Sequence, residues 1–270
     1  MKFYLIILFT FNIYATENIK TKCVAHRGNN KYFLENSLEA INSAANLQSD
    51  GIEMDIWHTL DGHAIIMHDS TLERTAKSRE NKICPLTTQI NQLTITEIRS
   101  NCVLNNGENI PLLIEALDQQ MDKQLEWFIE LKDIPSENTL EIIKNYIPVH
   151  QKANIISFKT KALKFSRHYF KKHKIEFDKI DLFKLYRVYF FNTTSFNPNV
   201  RYTSFNLKKL FKRNSSKLKR GVWTVDGSKK MEYAMKNEVD YLTTNDPELC
   251  LFIKNRMLKS RPIDNNFISI

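Results

Sequence analysis

Residues 22–56 read "KCVAHRGNNKYFLENSLEAINSAANLQSDGIEMDI". The run opens on a short β-rich stretch, "KCVAH" (22–26), passes through an amphipathic stretch, "ENSLEAINSAANLQ" (35–48), and returns to a β-rich one, "GIEMDI" (51–56). Two strands separated by a helix pair in parallel through a right-handed crossover. The alternation continues. Further strands are expected at "EWFIEL" (126–131), "ANIISF" (153–158), "DLFKLY" (181–186), "VRYTSF" (200–205), "GVWTVD" (221–226) and "VDYLTT" (239–244). Helices are expected at 111–121, 136–147, 159–173, 206–214, 227–237 and 246–259, with Pro135 and Pro247 at helix starts, where the first turn tolerates proline. Eight parallel strands close a (β/α)8 TIM barrel, an α/β fold. The alternative, an open doubly wound sheet, usually carries a glycine-rich phosphate turn, and the chain has six glycines with no G-x-G-x-x-G among them.

One stretch breaks the alternation. Residues 52–68, "IEMDIWHTLDGHAIIMH", are two β-like runs joined at "DG" (61–62), a strong hairpin signal. A hairpin is antiparallel, so the strand bearing Glu53 and Asp55 is expected to run past the barrel rim, turn at Asp61 and Gly62, and return. Counting back from the turn brings His68 opposite Asp55. The segment from about 69 to 111 has few apolar residues and is read as a small insertion over the barrel mouth.

At 270 residues, 42% hydrophobic and 26% charged, the chain has the composition of a soluble globular protein rather than a disordered or membrane-embedded one. Its start, "MKFYLIILFTFNIYATENIK", reads as a secretory signal peptide over 1–15, cleaved after Ala15; the protein is expected to be exported, periplasmic or secreted, as one domain over 21–270. Four cysteines follow. Cys84 and Cys102 could bridge the polar insertion, whereas Cys23 and Cys250 lie in apolar surroundings and are read as core. The net charge of +9 suits an anionic small-molecule substrate and a weak association with anionic membrane. The basic runs at 159–174 and 208–220 read better as solvated helix faces than as a specific nucleic-acid site.

In an eight-stranded barrel, chemistry sits at the carboxyl ends of the strands. Here the first strand ends in His26 and Arg27, the second holds Glu53 and Asp55, and the third ends in Glu130 and Lys132. Alternate strand residues face the same way, so Glu53 projects with Asp55, and Glu130 with Lys132. Any one pair is accounted for by a salt bridge at the rim; three pairs on adjacent strand ends argue for a site. Three converging carboxylates need a cation between them, and a hard divalent ion, Ca²⁺ or Mg²⁺, suits all-oxygen ligands. His26 and His68 flank this group and suit proton transfer. Arg27 and Lys132 beside a metal suit a phosphate better than a neutral sugar. His58, His63, His150, His168 and His173 are read as structural.

These residues resemble the glycerophosphodiester phosphodiesterase family. The chain shows "HRG" at 26–28, "LENS" at 34–37, "EMD" at 53–55, "TLDG" at 59–62, "HD" at 68–69, "ELK" at 130–132, "WTV" at 223–225 and "TNDP" at 244–247, in the family's order. The resemblance implies a TIM barrel with an insertion after the hairpin, hydrolysis of glycerophosphodiesters to sn-glycerol 3-phosphate and an alcohol, and one divalent cation. It further implies Glu53, Asp55 and Glu130 as metal ligands, His26 and His68 as the acid/base pair, Arg27 and Lys132 on the phosphate, and Trp223 beside the glycerol. Leu34 stands where the motif has proline, Ser37 where it has threonine, and a glycine usual before the last strand is replaced around Glu238. Two other functions fit the same residues less well: a lysophospholipase D or sphingomyelinase D-like enzyme, which an apolar rim would favour, and a barrel that binds phosphoesters without turning them over.

Overall fold

A computed structural model describes residues 19–147, 150–174, 180–186, 200–203 and 219–259. The strands are β1 (Lys22–Ala25), β2 (Gly51–His58), β3 (Ala64–Ile66), β4 (Ala76–Ser78), β5 (Cys102–Leu104), β6 (Glu126–Leu131), β7 (Lys152–Ser157), β8 (Ile180–Tyr186), β9 (Val200–Thr203), β10 (Lys219–Val222) and β11 (Tyr241–Thr244). The helices are α1 (Leu38–Asn46), α2 (Ile95–Asn101), α3 (Leu113–Gln119), α4 (Glu137–Tyr146), α5 (Thr160–Lys172), α6 (Ser228–Lys236) and α7 (Pro247–Lys259). Eight strands run β1-β11-β10-β9-β8-β7-β6-β2, and β1 also pairs with β2, so the parallel sheet closes on itself. This is the expected (β/α)8 barrel. The expected leader over 1–15, the helix at 206–214 and the end of the strand at 200–205 lie outside the described residues.

Strand alternation sorts the side chains. Ile52, Met54 and Ile56 of β2 and Trp127, Ile129 and Leu131 of β6 pack outward with Ile41 and Ala44 of α1 and Leu140 and Ile143 of α4. Val24, Phe128, Ile156, Phe183, Leu185 and Tyr241 fill the interior, with the Phe128 and Tyr241 rings edge to face at 5.0 Å. The helix starts follow from their caps: Ser37 Oγ accepts from Ala40 N at 3.0 Å, and Ser136 Oγ from Thr139 N at 3.2 Å. The hydroxyl that Ser37 shares with threonine is therefore the cap of α1.

The hairpin is real, but its register differs by one residue from the expectation. Ile56 pairs with Ile66 and His58 with Ala64, and Met67 N donates to Asp55 O at 2.9 Å, so Met67, not His68, stands opposite Asp55. The cause is the turn. Thr59 N donates to His63 O, leaving a three-residue loop, Leu60–Gly62, whose last residue takes φ +81°; Gly supplies that left-handed position, and the loop adds one residue to the count.

The segment at 69–111 carries an antiparallel β4–β5 pair and the expected Cys84–Cys102 disulfide. Its apolar residues, few in sequence, gather into a cluster of Leu72, Ile90, Leu93, Ile98, Leu104 and Ile110 against Ile65 and Met67 of the hairpin. Cys23 and Cys250 are not simply core: they form a second disulfide, Cα–Cα 5.9 Å, fastening α7 to β1. Their separation of 227 residues hid a proximity that only barrel closure creates. The expected strand at 221–226 is also displaced: β10 ends at Val222, and Trp223 to Asp226 belong to the loop beyond it.

Candidate active site

His26 and Arg27 follow β1 directly, where the chain must leave the barrel. Arg27 takes φ +55° and Gly28 φ +79°, and a Cβ on Gly28 would sit 2.6 Å from the Ala40 carbonyl carbon of α1, so only glycine fits. In β2, Glu53 and Asp55 face inward; in β6, Glu130 stands directly opposite Asp55. Each of the three offers an oxygen within 4.8 Å of the others', and all three are buried. Among the described residues this is the only such group of metal-ligating side chains.

The charges around them are unequal. Lys132 Nζ lies 2.8 Å from Asp55 Oδ1 and 2.7 Å from Glu130 Oε1, and Arg27 Nε lies 3.2 Å from Asp55 Oδ2. Burial alone would raise Asp55, but Lys132 and Arg27 outweigh it and hold the carboxyl down to about 2. Glu130 goes the other way, pushed up to about 7 by burial and by the Asp55 charge, and Glu53 is driven well above the ordinary range by burial, Asp55 and Glu130. The protein's own cations thus do not compensate ionisation of all three carboxylates. Asp55 Oδ1, although ion-paired with Lys132, accepts no aligned hydrogen bond. An all-oxygen donor set short of positive charge fits a hard divalent cation.

The two histidines sit in different settings. Burial, with Arg27 alongside, pushes His26 below the ordinary histidine value, and its Nδ1 lies 2.7 Å from Asn245 Oδ1. His68 is one-third exposed and donates from Nδ1 to Asp69 Oδ1 at 2.6 Å. His26, Glu53, Glu130, Ile156, Leu185, Trp223 and Thr243 line one small cleft. Trp223 packs edge to face on Phe158 at 5.4 Å, and its buried Nε1 has no hydrogen-bond partner among the described residues. Arg27 and Lys132, expected on a phosphate, here rest on carboxylates, which also fits the simpler salt-bridge reading of each pair.

Sequence reasoning assigned no role to Glu35, Asn36, Arg74, Asp226 or Asn245. Asn36, at φ +61°, donates from Nδ2 to Asp55 Oδ2 at 2.8 Å and so orients that carboxylate. Glu35 Oε1 accepts from Arg27 Nη1 at 3.0 Å and from Arg74 Nη2 at 2.6 Å, while Arg74 Nε donates to Asp69 Oδ2 at 2.6 Å. Arg74 of the insertion therefore joins the loop carrying Arg27 to the carboxylate that holds His68. Asn36 and Asn245 lie inside the "LENS" and "TNDP" motifs, the one signal that pointed to them; Arg74 and Asp226 gave none.

A family model described as the glycerophosphoryl diester phosphodiesterase family matches residues 26–249. A glycerophosphodiester phosphodiesterase of Caldanaerobacter subterraneus is 29% identical over 253 residues, covering 85% of this chain and 96% of that one. Human glycerophosphodiester phosphodiesterase 1 is 33% identical over 138 residues, 50% of this chain and 41% of that protein. A phosphodiesterase of Oleispira antarctica, solved in complex with the product sn-glycerol 3-phosphate, superposes with a TM-score of 0.73 at 18% identity, covering 87% of this chain and 96% of that one.

Proposed function

The chain belongs to the glycerophosphoryl diester phosphodiesterase family, and from that membership we propose that it hydrolyses glycerophosphodiesters to sn-glycerol 3-phosphate and an alcohol. The observation that carries the reading is the buried group Glu53, Asp55 and Glu130, of which Glu53 and Glu130 line one cleft with His26. These three carboxylates would hold one divalent ion, Ca²⁺ or Mg²⁺, which when bound neutralises and polarises the phosphodiester.

The remaining work falls to side chains. Arg27, which rests on Asp55, and Lys132, which rests on Asp55 and Glu130, would contact the phosphate oxygens once those carboxylates are neutralised by a bound ion. One histidine of the pair His26 and His68 takes the proton of the attacking oxygen, and the other protonates the leaving alcohol. Trp223 forms a wall for the glycerol, and its unpartnered indole N–H is available to a substrate oxygen.

The mature chain is read as a single catalytic domain over 21–270, exported after removal of residues 1–15. Two disulfides among four cysteines support an oxidising compartment. N-terminal sequencing of the processed protein should begin at residue 16; an intact Met1 would refute cleavage.

A specific observation also favours a lysophospholipid as substrate. Tyr32, Leu60 and Ile134, 61%, 64% and 51% exposed, lie on loops that follow the carboxyl ends of β1, β2 and β6, with Lys31 and Lys159 on mouth loops as well. Apolar tips beside lysines suit weak contact with an anionic bilayer. One assay separates the two: release of glycerol 3-phosphate from glycerophosphocholine and glycerophosphoethanolamine, against cleavage of lysophosphatidylcholine, after chelation and after return of Mg²⁺ or Ca²⁺. Turnover of the first pair, restored by metal and absent in Glu53→Ala, supports the diesterase. Cleavage of the lysolipid alone would move the assignment to a lipase, and silence on all three to a binding barrel.

A further inference from the structure

Behind His26 lies a second chain of polar groups that the proposed chemistry does not use. Asp226 Oδ2 accepts from Asn245 Nδ2 at 2.8 Å, and Asp226 Oδ1 accepts from Asn245 N at 2.9 Å and Thr244 Oγ1 at 3.0 Å. An ionised carboxylate only accepts, so the amide NH₂ of Asn245 must face Asp226 and its Oδ1 must face away. On that side Oδ1 accepts from Asn30 Nδ2 at 2.8 Å and meets His26 Nδ1 at 2.7 Å. An amide oxygen cannot donate, so Nδ1 carries the hydrogen, and in a neutral imidazole Nε2 is then bare.

We infer that Asn245, locked in one orientation by Asp226, is a positioning residue that keeps the hydrogen of His26 on Nδ1 and leaves Nε2 as the proton acceptor of the first chemical step. This rests on the phosphodiesterase reading above. In that step the attacking oxygen gives its proton to His26 Nε2 as its bond to phosphorus forms. The leaving oxygen keeps the electron pair of the broken P–O bond and takes a proton from His68. Asn245 holds the imidazole still throughout, because its oxygen accepts from Nδ1–H both before and after Nε2 is protonated.

The test is ¹⁵N NMR of the full chain labelled at histidine, at about pH 8, where an ordinary imidazole is neutral. Wild type, Asn245→Ala and Asp226→Ala are compared, with His26→Gln to assign the signal, alongside kcat and KM on glycerophosphocholine. Wild-type His26 should carry its hydrogen on Nδ1. Both alanine variants should show mixed tautomers, with kcat down about 10–100-fold, as for loss of a supporting hydrogen bond behind a working group, and KM little changed. A wild-type hydrogen on Nε2, or variants that keep the wild-type tautomer, would overturn the inference. If Asn245→Ala does not fold, Asp226→Ala reads the same orientation from one bond further away. The predicted tautomers without any diester turnover would sustain the positioning role and strike the substrate reading instead.

Discussion

Glu130 shows at the scale of one residue why the carboxylate group could hold a cation. Its value of about 7 in the folded protein stands above the ordinary 4.5 because burial and Asp55 disfavour its charge. The stability linked to that group is complete below 4.5 and is lost as pH rises through 7. Asp55, held to about 2, loses its contribution only in much stronger acid and leaves this window undisturbed. A metal held by Glu130 would have to displace its proton at low pH and would not at high pH. The rise in melting temperature on adding Ca²⁺ or Mg²⁺ to chelated protein is therefore expected to be larger at pH 8 than at pH 5.5, and Glu130→Gln should reduce the difference without abolishing it, because Glu53 is also raised by burial and by its carboxylate neighbours; an equal rise at both pH values would remove Glu130 from the ligand set. His68 offers a second check. Its replacement by alanine should lower kcat about 10²–10⁴-fold, the usual worth of a proton-transfer group, with KM within a few-fold. A loss confined to KM would make His68 a binding residue.

At the scale of elements, the helix ends and turns carry local costs that can be read one at a time. Helix α6 ends through Asn237, and Glu238 follows at φ +52°, its N donating to Met235 O at 3.0 Å and Val239 N to Ala234 O at 3.3 Å. That is the left-handed position after a helix where glycine is the usual residue, and it is where this chain departs from the motif. Glu238→Gly should accordingly stabilise the fold by about 1 kcal/mol, a rise of roughly 2–4 °C in Tm; a fall would show that the Glu238 side chain makes a stabilising contact. Gly62 and Gly28 contrast in the same way. Both have positive φ, but a Cβ on Gly62 meets nothing within 4 Å, whereas one on Gly28 meets the α1 backbone at 2.6 Å. Gly62→Ala should cost only about 1 kcal/mol. Gly28→Ala should displace α1 and the His26–Arg27 turn together, lowering Tm further and abolishing activity. Equal thermal shifts in the two variants would contradict the packing argument.

For the whole molecule, the disulfide between Cys23 and Cys250 joins β1 to α7, and Lys254 Nζ of that helix donates to both carboxylate oxygens of Asp50 at 2.8 Å. A bridge over so long a loop removes about 5 kcal/mol of chain entropy from the unfolded state in the loop-closure picture, against about 3 for the 18-residue loop of Cys84 and Cys102. Replacing Cys23 and Cys250 with alanine should therefore lower Tm more than replacing Cys84 and Cys102. The second pair should instead loosen the insertion, reading out as faster proteolysis within 69–111. The reverse ranking would place the weaker closure at the ends of the chain.

The sequence by itself determined the barrel, because strand and helix periods are local and eight parallel strands admit few closures. It also determined the carboxylate group. A spacing of two within a strand fixes which side chains share a face, and neighbouring strand ends then converge whatever the helices do. Only the tertiary structure decided the rest. The register of His68 turned on whether the hairpin loop held two residues or three, which "DG" does not reveal, because Gly62 takes positive φ in either loop. The Cys23–Cys250 bridge and the line from Asp226 through Asn245 to His26 depend on β11 returning beside β1. Contacts separated by more than two hundred residues leave no periodic trace in the chain; closure of the barrel creates them.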